Sequence, residues 1–486
     1  MTEPLPRPVL LLAFLLLLVR LALAAHLELA FDEAYYWSWA HHPALSYYDH
    51  PPMVAWFVTA GIAIAGDTEL GVRLLGPFAV LATTLLLMAS VRDLGGGRRA
   101  MVLVGLFSEL TVAAQVLGVV MTPDTPLLLF ATLTLRILAA IVAGGPSWLW
   151  LAAGAAGGGA LLSKYTAVMI GLGIAIWMLA VPARRRQLAT IWPWAGAMLA
   201  LIVFSPVLIW NARNDWLSFF KQGGRAAVPF QPSLSTFTDF LGSQAGLATP
   251  LIAIAMGLGL LLMAKEAFAR RNEAAVLLSA LGLPFLAYLT FYSIGGDVEG
   301  NWTLIIAPPA LASAAMAFAA RWDSTLARRF TIAAVALGGV LSAALLVYVV
   351  IPFNHSLGRL DITHRVYGQS ELAVQVAVVA KREGLRTIVT DSYATNALLA
   401  FYLPRDLATI HILDPDRYRG WVMPENAESD LAQGEVLGVA GEGREALTIL
   451  AFKKFREVGK AERLHRGTVV EKFVLYRLSD FKGGYN

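Results

Sequence analysis

The chain has 486 residues, of which 15% are charged and 57% hydrophobic, and its mean hydropathy is +0.62. Soluble domains carry about 25% charged residues, so this composition excludes an ordinary soluble enzyme and points to a polytopic membrane protein. The net charge of +4 reports loop topology in such a chain rather than a nucleic-acid partner, and the absence of cysteine excludes disulfides, thiolate nucleophiles and zinc–thiolate sites.

The start, PRPVLLLAFLLLLVRLALAAHLELAF, reads as an uncleaved membrane helix over 8–27 rather than a signal peptide, because many more spans follow. A polar and aromatic loop, 28–69, comes next. Within it PPMVAWFVTAGIAIAG (51–66) is too short for a span and reads as a helix along the interface, which suits Trp56 and Phe57. Further spans are expected at 70–90, 100–120, 125–143, 148–163, 165–182, 191–210, 246–264, 274–292, 302–319 and 331–352. The total is about eleven on the requirement of about 20 apolar residues each. The small residues of LAAGAAGGGALL permit close helix approach.

With the N-terminus in the cytoplasm, the inner loops hold Arg92, Arg98 and Arg99; Arg184, Arg185 and Arg186; Lys265, Arg270 and Arg271; and Arg321, Arg328 and Arg329. The outer short loops hold few basic residues, which is the positive-inside pattern. An odd number of spans then places the C-terminal region outside. After residue 353 the composition changes. ELAVQVAVVAKREG and ATNALLAFYLP read as helices, RTIVTDS and LATIHIL as strands, and EVLGVAG, ALTILAFKKF and VVEKFVLYRL continue the alternation. The expectation is a transmembrane catalytic domain, 1–352, followed by a small soluble α/β domain, 353–486, with no internal repeat or low-complexity tract.

The chemistry concentrates on one side of the membrane. FDEAYYWSWAHHPALSYYDHPP (31–52) places Asp32 and Glu33 just beyond the first helix, then an aromatic belt of Tyr35, Tyr36, Trp37 and Trp39, then Tyr48, Asp49 and His50 before a double proline. Asp124, in VVMTPDTPLLLF, sits at a turn between two spans; Thr122 or Asp124 is alternatively a helix cap. Lys164, in ALLSKYTAVM, either snorkels to headgroups or meets a lipid phosphate. Arg213, Lys221 and Arg225, in WNARNDWLSFFKQGGRAA, add cations on that side, and Asn301 and Trp302 open a later span. His41, His42 and His50 invite a metal reading, but their spacing carries no metal signature. GGGRRA at 95–100 lacks the Lys-Ser/Thr of a phosphate loop and reads as a turn.

FDEAYYW, YYDHPPMVAW, TPDTPLLLF, LLSKYTAV, SPVLIWNARNDWLSF and GNWTLIIAPPA, in this order and on one side, resemble the polytopic GT-C glycosyltransferases of the protein-mannosyltransferase-like group. They are most similar to the bacterial enzymes that move aminoarabinose or galacturonic acid from a polyprenyl phosphate onto lipid A. The match covers most of residues 1–320 and only loosely the rest. The resemblance implies a GT-C membrane fold with interfacial helices in the first outer loop. By position it implies Asp32 as catalytic base with Glu33 beside it and Asp124 as a further active-site acid. His50 stands after Asp49 where some members carry a lysine that touches donor phosphate. Some relatives bind a divalent metal near these groups.

The implied partners are a polyprenyl-phosphate sugar, an envelope acceptor such as lipid A or another glycolipid, glycan or protein, and membrane lipids. The implied setting is a bacterial inner membrane with a periplasmic active site. The chemistry fits such an inverting displacement. Asp32 removes the acceptor proton. Lys164, Arg213 and Arg225, with His50, Tyr48, Asp49 and Asn301, are candidates for donor phosphate and substrate. Asp32, Asp49, Asp124 and Lys164 are expected to share one cavity. A transporter or flippase would instead place ionisable residues near the bilayer midplane, with inverted repeats; a glycan ligase is the neighbouring enzyme class. The sequence leaves sugar and acceptor open.

Overall fold

The computed structural model describes residues 3–226, 231–270, 272–351, 361–411, 431 and 434–482. In chain order the helices are α1 (Arg7–His26), α2 (Phe31–His41), α3 (Met53–Ala65), α4 (Glu69–Arg73), α5 (Leu75–Asp93), α6 (Arg98–Glu109), α7 (Val112–Leu117), α8 (Asp124–Val142), α9 (Leu149–Ser163), α10 (Val168–Ala180), α11 (Pro182–Gln187), α12 (Ile191–Arg213), α13 (Leu217–Ala226), α14 (Leu234–Ala248), α15 (Pro250–Arg270), α16 (Glu273–Tyr292), α17 (Ala307–Ala320) and α18 (Thr325–Val350). Then come α19 (Gln369–Glu383), β1 (Thr387–Thr390), α20 (Tyr393–Tyr402), β2 (Ala408–His411), β3 (Val436–Gly441), α21 (Glu445–Leu450), β4 (Phe452–His465) and β5 (Thr468–Phe481). Contacts divide the chain into a unit of residues 1–22, 50–54 and 75–347 and a unit of residues 23–49, 55–74 and 348–486. Most of the first loop therefore groups with the C-terminal residues, whereas the expected boundary at 352 assigned it to the helices before it.

The first unit is built of apolar helices. Among the described residues, eight helical segments are long and apolar enough to cross a membrane. The other three expected spans are short or broken. α9 and α10 have 15 and 13 residues, and a 3-10 turn, Tyr165–Ala167, leads into α10. The expected span 100–120 stops at Glu109, and Thr111 starts α7 by accepting a hydrogen bond from the Ala114 N–H at 3.1 Å.

Buried charge explains that break. Arg20 of α1 and Glu109 are both fully buried and lie 2.9 Å apart. Arg20 also donates to the Gln115 side chain at 3.1 Å, Thr84 donates to Glu109 at 2.8 Å, and Gln115 donates to the Glu109 carbonyl at 2.6 Å. An ionised group in hydrocarbon needs such partners, so the carboxylate holds the helix end in place. This pair qualifies the expectation that ionisable residues keep to span ends. The expected outer loop 211–245 contains α13 and most of α14; α14 ends at Thr249, with φ +66°, and Pro250 opens α15. α9 and α12 meet through glycine: a Cβ on Gly154 would collide with the Gly196 carbonyl, and one on Gly196 with the Trp150 carbonyl.

In the second unit the loop helices close around Arg73, which is fully buried. Its guanidinium donates to Glu33 at 2.5 and 2.7 Å. It also donates to the carbonyls of Ala24 (3.3 Å), Leu27 (2.5 Å) and Glu28 (2.8 Å). These carbonyls belong to the last turn of α1 and the residues after it, which have no intrahelical partners. Glu33 also accepts from the Ala30 N–H at 2.9 Å. α2 is buried along residues 33–40. Trp39 stacks on Tyr47 at 4.2 Å and 4°, and the Tyr47 hydroxyl donates to the Trp39 carbonyl at 2.9 Å; burial pushes this phenol up to about 12. Trp37 donates to Asp67 at 2.8 Å, and His41 and Arg405 approach the same carboxylate at 2.8 and 3.3 Å. Burial of Asp67 opposes its ionisation, but these hydrogen bonds and cations outweigh it and hold the carboxyl below its ordinary range. Tyr402 of α20 accepts from Leu29 N–H at 2.7 Å and donates to Glu69 at 3.2 Å.

The sheet order is β2-β1-β3-β5-β4, parallel across β2-β1-β3 and antiparallel across β3-β5-β4. Leu372, Val376, Ile388, Leu399, Leu437, Phe473 and Leu475 form its core. The expected alternation holds as far as β3. ALTILAFKKF then divides, ALTIL entering α21 and FKKF entering β4. Arg466 and Gly467, at φ +51° and +75°, form the two-residue turn between β4 and β5, as a right-twisted hairpin requires.

Glu33→Ala or Arg73→Ala strands one buried charge and should each cost about 3–5 kcal/mol in unfolding of the detergent-solubilised chain, with the double variant costing less than the sum. Gly154→Leu should cost about 1–3 kcal/mol, read as a lower melting temperature.

Candidate active site

Asp124 is the first residue of α8, and the sequence before it explains its side chain's freedom. The Thr122 hydroxyl accepts from the Asp124 N–H at 3.3 Å, and the Asp124 carboxylate makes no cap on its own helix. It turns instead to Lys164, whose Nζ lies 2.8 and 3.0 Å from its two oxygens, and to Asn301, whose amide donates at 2.9 Å. Lys164 sits in extended backbone, φ −159° and ψ 141°, between α9 and the 3-10 turn. Asn301 lies in the 3-10 segment Gly300–Ile306. Asp124 is 3% exposed and Lys164 8%, so the pair is held in low dielectric, where opposite charges and a donated amide stabilise each other most. The three positions come from distant parts of the sequence, and the helical fold brings them together.

The 3-10 segment continues into an apolar cavity of about 470 Å³ in the same unit, lined by Phe240, Gln244, Leu247, Leu260, Thr303 and Leu304 among others. Thr303 donates to Gln244 at 2.5 Å, and Gln244 donates to the Gly300 carbonyl at 3.3 Å, which ties the cavity wall to the segment that carries Asn301.

In the other unit Asp32 occupies the first turn of α2, where the helix dipole favours a carboxylate. Glu33 is committed to Arg73. Successive helical residues differ by about 100° around the axis, so Asp32 takes another face, and it is half-buried. Asp49 accepts from the Tyr35 hydroxyl at 2.8 Å, which ties the end of the loop to α2. Tyr48 and His50 flank it and are half-buried. Of the four residues expected to share a cavity, Asp124 and Lys164 are in contact within the first unit, while Asp32 and Asp49 belong to the second.

The aromatics of α2 are largely packing elements. Tyr35 lies 4.7 Å from Trp39 and 5.2 Å from Tyr393, and Trp37 lies 5.2 Å from Phe401. Arg213 is exposed at the end of α12. Arg225 is on α13, and its side chain lies outside the described residues, as does all of Arg271.

The loop histidines turn to separate partners: His41 Nε2 to Asp67 at 2.8 Å and His42 Nδ1 to the Ser38 carbonyl at 2.9 Å. Among the described residues, the grouping of three or more metal-ligating side chains lies elsewhere, at Asp361, His364 and His465. No catalytic step is assigned to a metal. Sequence reasoning missed Arg73, Asp67, Glu69 and Tyr402. The available signal was an arginine amid the apolar run of ELGVRLLGPF, which demands a buried partner.

Residues 49–210 match the family model described as dolichyl-phosphate-mannose-protein mannosyltransferase. The lipid A galacturonosyltransferase RgtD of Rhizobium johnstonii is 26% identical over 385 residues, 77% of each chain. ArnT from Cupriavidus metallidurans bound to undecaprenyl phosphate superposes with a TM-score of 0.67 at 16% identity, covering 98% of this chain and 99% of that one. The archaeal oligosaccharyltransferase AglB from Archaeoglobus fulgidus superposes with a TM-score of 0.54 at 11% identity, covering 96% of this chain and 74% of that one. With its apolar helices and its small C-terminal sheet, the chain is a membrane glycosyltransferase of GT-C fold, similar to the bacterial transferases that modify lipid A.

Proposed function

We propose that the chain transfers a sugar from a polyprenyl-phosphate donor to an envelope acceptor of the lipid A type, at the periplasmic face of a bacterial inner membrane. The observation that carries the reading is the first turn of α2, where Glu33 is locked to Arg73 and Asp32 occupies another helical face of the loop whose motif resembles that of the transferases. The donor class is supported by the undecaprenyl phosphate bound to ArnT, and the acceptor class by RgtD.

In this reaction the bond from the anomeric carbon to the phosphate oxygen breaks as the acceptor oxygen bonds to that carbon from the opposite side. The anomeric centre inverts, the acceptor proton passes to Asp32, and the polyprenyl phosphate leaves with the electron pair of the broken bond. Base catalysis of this kind is worth roughly 10²–10⁴-fold. Lys164 is assigned to the donor phosphate: an ammonium has three N–H donors, and its two contacts with Asp124 leave a third for a phosphate oxygen. Asp124 holds the ammonium in position, and Asn301 fixes Asp124. The apolar cavity of the helical unit suits a prenyl or acyl chain. His50, Tyr48 and Asp49 are assigned to the substrate sugar or phosphate, and Arg213 and Arg225 to lipid phosphate.

The deciding assay is transfer of radiolabelled sugar from polyprenyl-phosphate sugar to envelope lipid by membranes containing the full chain. Asp32→Asn should lower kcat at least 10²-fold while the melting temperature stays within a few degrees of wild type. Normal transfer by a folded Asp32→Asn protein ends the proposal. Lys164→Met should raise the donor KM about tenfold or more, the loss of one charge-assisted contact of about 1.5–3 kcal/mol, and leave the acceptor KM unchanged.

A further inference from the structure

A second polar cluster lies in the unit that contains the sheet and includes none of the residues given a role in transfer. Asp361 precedes the 3-10 turn Ile362–Val366, His364 lies within that turn, and His465 is the last residue of β4. Asp361 Oδ2 lies 3.6 Å from His364 Nε2 and 3.7 Å from His465 Nε2, and the three potential ligand atoms fall within 4.8 Å of one another. The Asp361 side chain is fully buried and that of His465 is 3% exposed. Among the described residues His364 Nε2 has no hydrogen-bond partner, and the Tyr348 hydroxyl is the further donor near the Asp361 carboxylate.

A separation of 3.6 Å is too long for a hydrogen bond. It is close to the ligand–ligand edge of a tetrahedron with metal bonds of about 2.1 Å, roughly 3.4 Å. The buried Asp361 oxygen and the His364 nitrogen face each other at this spacing beside the His465 ring, an arrangement that a divalent cation would satisfy.

The surroundings hold each donor in orientation. The Thr363 N–H and hydroxyl both donate to Asp361 Oδ1, at 3.0 and 2.5 Å, leaving Oδ2 to face the histidines. With its proton given to Asp361, the same hydroxyl accepts from His465 Nε2 at 2.9 Å, a hydrogen bond that a metal on this nitrogen would displace. The His465 ring is stacked on Tyr367 at 5.0 Å, and its backbone is fixed by the Arg466-Gly467 turn. Arg463 donates to the carbonyls of His364 (2.5 Å) and Tyr367 (3.2 Å). Gly368, at φ +80°, brings the chain so close to the Leu464 carbonyl that a Cβ would collide with it. Outer contacts of this kind typically hold metal ligands in place.

We propose that Asp361, His364 and His465 bind one divalent cation of the zinc class, clamping the 3-10 turn to the end of the β4–β5 hairpin. Two imidazoles and a carboxylate suit zinc among the common ions, with water in the fourth position. The role is structural, and the proposal stands independently of the transfer reaction.

The test uses the full chain in detergent, purified with a histidine-free tag, stripped with a chelator, re-equilibrated with zinc chloride and desalted. Wild type and the exposed-residue control His26→Gln should each retain about one zinc per chain, with a zinc-dependent rise in melting temperature. X-ray absorption should show imidazole scattering and nitrogen or oxygen ligands at about 2.0–2.1 Å. Asp361→Asn and His465→Gln should weaken zinc retention at least tenfold. Because either variant could misfold, the wild-type spectrum is an independent criterion. Wild type that retains no zinc would identify the cluster as a metal-free His–Thr–Asp hydrogen-bond network and overturn the proposal. Zinc whose spectrum lacks imidazole ligands, or whose retention is unchanged in folded Asp361→Asn and His465→Gln, overturns it equally.

Discussion

A guanidinium removed from water must have its donors met inside the protein, and Arg73 meets that demand with one carboxylate and three backbone carbonyls. The demand works in both directions. The end of α1 presents carbonyls that its own helix cannot satisfy, and Glu33 is a buried carboxylate that needs a cation. One side chain answers both, so the end of the first helix, the start of α2 and the short α4 are fixed to one another by the cost of leaving any of these groups alone. The orientation of Asp32 follows, because it is one residue from the carboxylate that cannot move.

The helical unit solves the same problem twice with different parts. Arg20 and Glu109 neutralise each other among apolar helices, and Thr84 and Gln115 supply further hydrogen bonds. Asp124 and Lys164 do so at the start of α8, with Asn301 as the additional donor. The two differ in what remains. Arg20 and Glu109 are closed off on every side. Lys164 sits in extended backbone between helices, with donor capacity beyond its pair. A buried ion pair contributes little to stability by itself, and on this contrast the second pair, rather than the first, is proposed as a place for a ligand.

Much of this was legible in the chain itself. Hydrophobic runs located the apolar helices, because the membrane thickness fixes their length; the alternation of short helices and strands after residue 353 was readable because each stretch keeps its own period. The polar residues of 31–52, Asp124, Lys164 and Asn301 were visible as polar groups flanking apolar runs. Their partnerships were not, since Lys164 is 40 residues from Asp124 and Asn301 is 177, and no local pattern encodes such pairing. Glu33 and Asp32 look equivalent in sequence; only the burial of Arg73, 40 residues on, separates them. The break at 110–111 escaped because the stretch 100–120 is apolar enough for a continuous span, and the reason for its interruption lies on α1. The ALTILAFKKF segment misled because the helix it enters is only six residues long.

Tyr402 accepts its hydrogen bond from Leu29, 373 residues earlier, and the Gln369 and Ser370 N–H groups donate to Glu28 across more than 340. At a synthesis rate of roughly 5–20 residues per second, those 373 residues take about 20–75 s to emerge from the ribosome. Throughout that interval the segment bearing Asp32 lacks its final supports. The nascent protein thus carries an incomplete loop until residues beyond 400 have been made, so the supports of the proposed base arrive long after the base itself has been translated.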